Sequence, residues 1–199
     1  MSNHDGRPIA VLGALIGLLS LPGCAEKVPA PKSFDSYTSK DGRFACDYPK
    51  GWKADGGGNS DFTWAKFTRG DAEIRIEGDI AGSLIGDIAK STGGMFGGEA
   101  SGEDAPVAQA HEHGLRRLKD EDSGYEERPP KTFTSGMGDG RRSVFITKQT
   151  LGGKTFGYRA TLLGGDRRIT VICRCPATNW QVLKPAFEKV ITSVKSGGR

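Results

Sequence analysis

The sequence predicts an α+β domain with a mainly antiparallel sheet packed with helices. Segments in which apolar and polar residues alternate, as in half-buried strands, occur in the first and last thirds of the chain. Segments with apolar residues three or four positions apart, as in amphipathic helices, occur in the middle and at the end. Strands and helices grouped in this way are typical of α+β folds.

The N-terminal part predicts four strands in two hairpins, at residues 34–39, 43–48, 62–67 and 72–77. Asp41-Gly42 is a turn pair between the first two strands. In the fourth strand alanine and isoleucine alternate with charged residues, so we expect one buried face. Trp52 is expected to fold over the core, and residues 55–61, which include three consecutive glycines, predict a loop.

The middle of the chain changes to helical spacing. It predicts helices at residues 83–90 and 106–119, separated by a glycine-rich loop at 93–103 that we expect to be the mobile part. The second helix carries one stripe of apolar residues and a histidine, formed by Val107, His111, Leu115 and Leu118.

Strands return in the last third and a helix closes the chain. The strands are predicted at residues 142–148, 156–163 and 168–175. The closing helix begins with the capping-box pattern at Thr178 and carries an apolar stripe from Trp180 to Val194. Pro185 is expected to kink this helix or shift its start.

The first 23 residues predict an export signal. Residues 9–21 are 13 consecutive uncharged residues, too short for a membrane span of roughly 20 residues but suited to the core of a signal peptide. The following Leu21-Pro22-Gly23-Cys24 resembles the bacterial lipobox, although a proline is unusual at its position. In that motif lipid alkylates the cysteine thiol before cleavage exposes the amine. Cys24 is therefore the predicted lipidation site, and an ordinary secretory signal with a secreted, soluble product is the alternative.

The mature chain predicts a tether and one domain. Residues 24–33 include Pro29 and Pro31, which favour extended backbone, and predict a flexible tether. Residues 34–196 form the domain. The product would be exported and anchored to the cell membrane or the outer membrane.

The composition excludes several functional classes. The net charge is only +4, from 28 Lys and Arg against 24 Asp and Glu, so a histone-like nucleic-acid binder is not indicated. Three His and four Cys are too few for a dense zinc or disulfide scaffold.

Short motifs spread over nearly the whole mature chain resemble those of PsbP-like domains. They are Tyr37-x3-Asp41-Gly42-x-Phe44, Tyr48-Pro49-x-Gly51-Trp52, Gly157-Tyr158-Arg159, Ile169-Thr170-Val171 and Phe187-x3-Ile191-x-Ser193-Val194. The resemblance implies the α/β/α sandwich shared by the photosystem II extrinsic subunit and a Ran-binding nuclear import factor. It also implies an accessory or binding role, and it transfers no catalytic residues to this sequence.

Three cysteines of the predicted domain lie on the apolar faces of predicted strands, and an exported chain meets oxidising conditions. If the Cys46 strand lies beside the strand of Cys173 and Cys175, one disulfide can join Cys46 to Cys173 or Cys175. The alternative is three buried thiols that act as small hydrophobic side chains.

Two other groups of residues invite a functional interpretation. His111-Glu112-His113 has metal-binding residue types, but positions i and i+2 of a helix point in different directions, so we expect no metal site. Three arginine pairs predict either a basic contact surface for acidic lipid headgroups or an acidic partner, or separate solvated surfaces. They are Arg116, Arg117, Arg141, Arg142, Arg167 and Arg168.

The sequence therefore favours a lipid-anchored, non-enzymatic accessory or binding module of the bacterial cell envelope. Its contact site would be a pocket between sheet and helices, its partner an envelope protein or small ligand, and no cofactor or nucleic acid is expected. One alternative is an envelope enzyme in which His111, Cys46 or the arginine pairs converge only in space. The other is a self-associating structural protein of the envelope.

Overall fold

The computed structural model describes residues 26–80, 106–148, 153–164 and 167–197. Cys24, the helix predicted at 83–90 and the glycine-rich loop at 93–103 lie outside these ranges. The described strands are β1 (Phe34–Thr38), β2 (Phe44–Pro49), β3 (Lys53–Gly58), β4 (Phe62–Arg69), β5 (Ala72–Ile80), β6 (Glu126–Glu127), β7 (Lys131–Ser135), β8 (Gly138–Lys148), β9 (Lys154–Gly164), β10 (Arg167–Pro176) and β11 (Lys195–Ser196). The described helices are α1 (Pro106–Glu121) and α2 (Trp180–Ser193), and a short 3-10 turn, Ala177–Asn179, precedes α2.

The strands form two antiparallel sheets. The large sheet has the order β3-β4-β5-β10-β9-β8-β6, with β7 also paired to β8, and the small sheet has the order β1-β2-β11. β10 lies at the centre of the large sheet, where it pairs with β5 on one side and β9 on the other. This central strand joins the N-terminal hairpins to the C-terminal ones.

The large sheet lies between two layers, as strand β9 shows. The Tyr158 ring lies 5.1 Å from the ring of Trp180 in α2, whereas the Thr161 hydroxyl lies 2.9 Å from Nδ1 of His111 in α1. Successive side chains of a strand point to opposite faces, so α1 and α2 cover opposite faces of the sheet. The small sheet packs with α2 through β2. The predicted α+β class and its layered sandwich are confirmed.

The main core fills the space between the large sheet, α2 and the small sheet. Its side chains with no exposed surface include Phe44, Phe67, Ile74, Ile76, Leu162, Ile169, Val171, Leu183, Phe187 and Ile191. Burying each such side chain stabilises the fold by roughly 1.5–3 kcal/mol. The alternation predicted for residues 72–77 is confirmed, because Ile74 and Ile76 are buried while Arg75 between them is exposed.

Residues 26–28, at the start of the described part of the predicted tether, pack on the domain. Val28 is 3% exposed and belongs to the core cluster. The Asn179 side chain donates from Nδ2 to the Glu26 carbonyl (2.8 Å) and accepts from the Val28 N–H at Oδ1 (3.2 Å). Residues 26–28 therefore follow a fixed path, because a distant asparagine supplies hydrogen bonds that the local proline content does not reveal.

The loop predicted at 55–61 is wrong over its first half. Residues 55–58 belong to β3, an edge strand paired in register with β4. The backbone of β3 is held by hydrogen bonds to β4, so glycines without side chains can still form this strand. A Cβ at Gly57 would lie 3.1 Å from the Trp64 indole nitrogen, so the absence of a side chain lets that ring lie against the strand.

The capping pattern at Thr178 does not start α2. The helix begins at Trp180, its N-cap Asn179 makes no capping hydrogen bond through its side chain, and Pro185 lies within the helix. The Asn179 side chain is instead occupied by the N-terminal segment. Neither described helix is long and apolar enough to cross a membrane.

Candidate functional site

An open groove lies between the C-terminal end of α1 and the face of the large sheet that α2 does not cover. Its volume is about 1000 Å³. β4, β5 and β10 contribute Lys66, Glu73, Ile172 and Arg174, and Leu118 of α1 lies opposite. This is the position between sheet and helix at which we expected the contact site.

Glu73 holds two cations over the floor of the groove. Its Oε2 lies 2.7 Å from Lys66 Nζ, and its Oε1 lies 3.0 Å from Arg174 Nη2. Arg174 stands directly opposite Glu73 in the register of β10 with β5, so the ladder itself creates this contact. The carboxylate is 13% exposed and the cations are 44% and 54% exposed, which leaves the positive groups accessible to solvent.

One wall of the groove is formed by Tyr125 and Phe145. Their rings are stacked with centroids 5.1 Å apart, and Tyr125 is 7% exposed. The Tyr125 hydroxyl points into the protein and donates to Oε2 of Glu127. This tyrosine therefore separates the groove from a buried polar cluster, which we call the Glu127 network: Glu127, Arg159, His111, Tyr125, Ser143 and Thr161.

The centre of the Glu127 network is a buried ion pair. Arg159 donates to both carboxylate oxygens, from Nε to Oε2 (2.9 Å) and from Nη2 to Oε1 (2.7 Å). The side chains of Arg159 and Glu127 are 2% and 1% exposed. Gly114 of α1 makes room for the guanidinium, because a Cβ there would lie 2.9 Å from Nη1.

His111 completes the network from α1. Its Nε2 lies 2.7 Å from the Ser143 hydroxyl and 3.2 Å from Oε1 of Glu127, and its Nδ1 lies 2.9 Å from the Thr161 hydroxyl. A carboxylate only accepts hydrogen bonds, so we assign the proton of the neutral ring to Nε2 and an acceptor role to Nδ1. Both ring nitrogens are therefore engaged inside the protein.

The protonation states follow from burial and from these contacts. Burial opposes ionisation of Glu127, but hydrogen bonds from His111, Arg159 and Tyr125 outweigh it and lower its pKa to about 2. Burial lowers the pKa of His111, although its contact with Glu127 opposes this effect. Burial and the nearby Glu127 charge raise the pKa of Tyr125. At neutral pH the network holds a charged Glu127–Arg159 pair beside a neutral histidine.

This arrangement suits a structural role better than proton transfer. A general base needs a free lone pair within hydrogen-bond distance of a substrate. The lone pairs of Glu127 and His111 already accept hydrogen bonds from side chains of the network, and both groups are nearly inaccessible to solvent.

A second polar cluster lies on the opposite face of the sheet. The Arg142 guanidinium stands 4.7 Å from the centre of the Tyr158 ring and 3.6 Å from Oε1 of Glu188 in α2. The Tyr158 hydroxyl donates to the same oxygen at 2.5 Å. Burial, followed by the contact with Glu188, raises the pKa of Tyr158. The cluster ties α2 to the sheet at the edge of the core.

The structure does not bring the three arginine pairs to one surface. Arg116 and Arg117 are exposed on α1 and form ion pairs one turn away, with Glu112 and Glu121. Arg141 and Arg142 are consecutive in β8 and so point to opposite faces of the sheet.

The third pair is likewise engaged within the protein. Arg167 is 3% exposed and donates to the carbonyl oxygens of Ser60 and Asp61. Arg168 is paired with Asp79. Arg141, Arg142, Arg167 and Arg168 are thus buried or half-buried, whereas Arg116 and Arg117 remain exposed.

The three described cysteines are buried and carry free thiols. The disulfide that we considered required the Cys46 strand to lie beside the strand of Cys173 and Cys175, but β2 pairs with β1 and β11 and not with β10. Burial raises the pKa of Cys46 and of Cys175 to about 12, and that of Cys173 well above its ordinary value. Cys46 belongs to the core on the α2 side, whereas His111 lies on the α1 side, so these two residues do not share a cleft.

In the described ranges no three His, Cys, Asp or Glu side chains come together closely enough to hold a metal ion. His111 is buried and His113 is exposed on the same helix. The predicted difference in their directions is confirmed.

Sequence reasoning missed Glu127 and Arg159. Glu127 stands in a charged stretch, 120–131, to which we assigned no function, and Arg159 faces the other way from the apolar residues of its strand. One signal was present: an arginine at the centre of a strand this apolar needs a buried acidic partner.

No protein-family model matches the sequence, and no curated protein matches it. The structure is similar to the solution structure of CyanoP, a cyanobacterial PsbP from Synechocystis sp. PCC 6803, with a TM-score of 0.57 and 12% identity over 93% of this chain and 98% of that chain. It is also similar to LpqN, involved in cell envelope biogenesis of Mycobacterium tuberculosis, with a TM-score of 0.51 and 9% identity over 83% of this chain and 91% of that chain. At such identities the likeness concerns the fold, and the chain has an α+β fold of the PsbP-like kind.

Proposed function

We propose that the protein is a lipid-anchored, non-enzymatic binding module of the bacterial cell envelope, and that the groove is its contact site. The observation that carries this proposal is an accessible groove of about 1000 Å³ lined by charged side chains of both signs. Such a lining suits a polar or charged partner, because Lys66 and Arg174 remain exposed while Glu73 fixes their positions.

The Glu127 network supports binding rather than chemistry. It lies directly behind the wall of the groove, yet its titratable groups are occupied by one another. Such a network holds Tyr125 in one orientation and so gives the groove a fixed shape. A preformed site loses less entropy when it binds a partner.

The location rests on the lipobox-like Leu21-Pro22-Gly23-Cys24 and on the fold. LpqN, which shares the fold, is described as a protein of cell envelope biogenesis. Two acyl groups on Cys24 would anchor the protein stably, whereas one chain gives only marginal membrane binding.

The anchor is tested by fractionation and mass spectrometry in the native host. We expect the protein in the membrane fraction, with the mass of residues 24–199 plus acyl chains. The Cys24→Ser variant should lose both the membrane location and the added acyl mass. A lipid-free protein cleaved at another position would contradict the anchor.

The groove is tested by photocrosslinking in intact cells. A photoreactive amino acid at Lys66 or Thr68 faces the groove, and one at Arg116, which is exposed on α1, serves as the control. We expect a discrete adduct from the groove positions alone. Equal labelling from the control position, or no adduct from the groove, would contradict this contact site.

A further inference from the structure

We propose that the end of the domain where the chain enters at Glu26 rests on anionic lipid headgroups, so that the groove opens at the membrane surface. We call this region the anchor end. It consists of Glu26, Lys27, Lys50, Lys53 and the turn from Arg69 to Asp71. The inference deepens the proposed function and rests on the lipid anchor at Cys24.

The first argument is the short distance between the anchor and the domain. Glu26 is fixed by the hydrogen bond from Asn179 to its carbonyl, and Val28 is buried in the core. Only Ala25 stands between Cys24 and Glu26. Two residues of extended chain span at most about 7 Å, so a lipidated Cys24 would hold Glu26 close to the headgroups.

The second argument is what surrounds Glu26. Its carboxylate lies beside Gly70, where a Cβ would come within 3.0 Å of Oε2. Gly70 forms the turn between β4 and β5, with Arg69 and Asp71 exposed on either side. Lys53 is aligned with Thr68 in the pairing of β3 with β4, next to Arg69. The turn and the start of β3 therefore reach the membrane together with Glu26.

The third argument is charge. The anchor end has four exposed cations, Lys27, Lys50, Lys53 and Arg69, and two exposed acids, Glu26 and Asp71. A lysine or arginine near an anionic leaflet strengthens membrane association by about fivefold. The surplus of cations favours an orientation in which this end faces the lipid.

The groove begins at the same place. Gly70 and Asp71 belong to its lining, together with Lys66 and Arg174. With the anchor end on the membrane, the groove would be open to molecules that lie at the headgroup level.

The experiment measures binding to vesicles without the natural anchor. The mature chain, residues 24–199 with Cys24→Ser, is sedimented with vesicles of phosphatidylcholine alone or of phosphatidylcholine with phosphatidylglycerol. Lys53→Glu with Arg69→Glu reverses two charges at the anchor end.

The control makes the same change in charge at the other end of β2. It combines Lys40→Glu, in the turn between β1 and β2, with Lys195→Glu, which is opposite Ala45 near the start of β2. Lys53 and Arg69 are exposed, and so are the two control lysines. We therefore expect both double variants to fold like the parent chain, which melting curves verify.

We expect partitioning onto the anionic vesicles, a fall of at least about tenfold for the anchor-end variant and a change of less than about twofold for the control. An equal fall in both variants, binding to neutral vesicles as strong as to anionic ones, or no binding by the parent chain would overturn the inference. Because this chain carries no lipid, its result is independent of the mass measurement that tests the anchor.

Discussion

Glu127→Gln removes one charge from the middle of the Glu127 network and leaves the shape of the side chain almost unchanged. The variant keeps an acceptor oxygen for Arg159 but leaves a 2% exposed guanidinium without its counter-charge. The guanidinium does not lose its proton, so the protein cannot remove the cost of this unpaired buried charge by neutralising Arg159.

The magnitude follows from the pKa of Glu127. Between an ordinary value of 4.5 and the folded value of about 2, the preference of the folded protein for the ionised carboxylate corresponds to about 3 kcal/mol. An independent figure agrees: removing one partner of a buried ion pair in other proteins lowers the free energy of unfolding by about 3–5 kcal/mol. We therefore expect Glu127→Gln to lower the free energy of unfolding at neutral pH by about 3 kcal/mol.

The assay is urea unfolding of both proteins as a function of pH. A depressed carboxylate pKa stabilises the folded state above pH 4.5, and this contribution disappears as the pH falls from 4.5 towards about 2. The wild-type protein should lose the contribution over this window, whereas the glutamine side chain of the variant does not titrate. The difference between the two proteins should therefore narrow as the solution is acidified.

The neighbouring residue supplies the control. Glu126 forms an exposed ion pair with Lys148, so Glu126→Gln should leave the unfolding midpoint almost unchanged. A loss below about 1 kcal/mol for Glu127→Gln, or a difference that stays constant with pH, would refute the account of a charged buried pair. Glu127→Leu with Arg159→Met should be more stable than Glu127→Gln, because no unpaired charge remains.

Three further predictions concern other contacts. Asn179→Ala should cost about 1–2 kcal/mol and speed tryptic cleavage after Lys27, and an unchanged cleavage rate would contradict its role in fixing the N-terminal segment. Arg142→Ala should cost about 1–2 kcal/mol in urea unfolding through lost contacts with Tyr158 and Glu188, and a cost near zero would count against the cluster. In the chain with Cys24→Ser, the three buried thiols should react with a disulfide reagent on the order of a thousandfold more slowly than free cysteine until the protein unfolds, and then all three should react; a single reactive thiol would reveal a disulfide.

The fold was predictable where the local pattern of apolar and polar side chains matches which side chains are buried. The alternation in β5 and β10 and the apolar stripe of α2 each appear within a segment of 9 to 14 residues. The glycines of β3 carry no such pattern, because that strand takes its position from β4. The burial of Val28 depends on Asn179, which is 151 residues away.

The candidate site was less predictable because its parts lie far apart in sequence. His111 was expected on the apolar stripe of its helix and is buried there, but its partners come from β6, β8 and β9. Glu127 lies among other charged residues, and only its pairing with Arg159 across 32 positions distinguishes it from its exposed neighbours. A cluster of charged residues in the sequence by itself suggests a solvated surface. The ion pair with Arg159, 32 positions away, is what buries Glu127.

The central position of β10 has a consequence for how the chain folds. Its pairing with β5 joins residues about ninety to a hundred positions apart, so the large sheet cannot close until the last quarter of the chain is present. Until β10 is available, one edge of β5 stays unpaired in the N-terminal hairpins. If the chain is exported through a membrane in an extended form, as we propose, this order delays the compact state until translocation is almost complete.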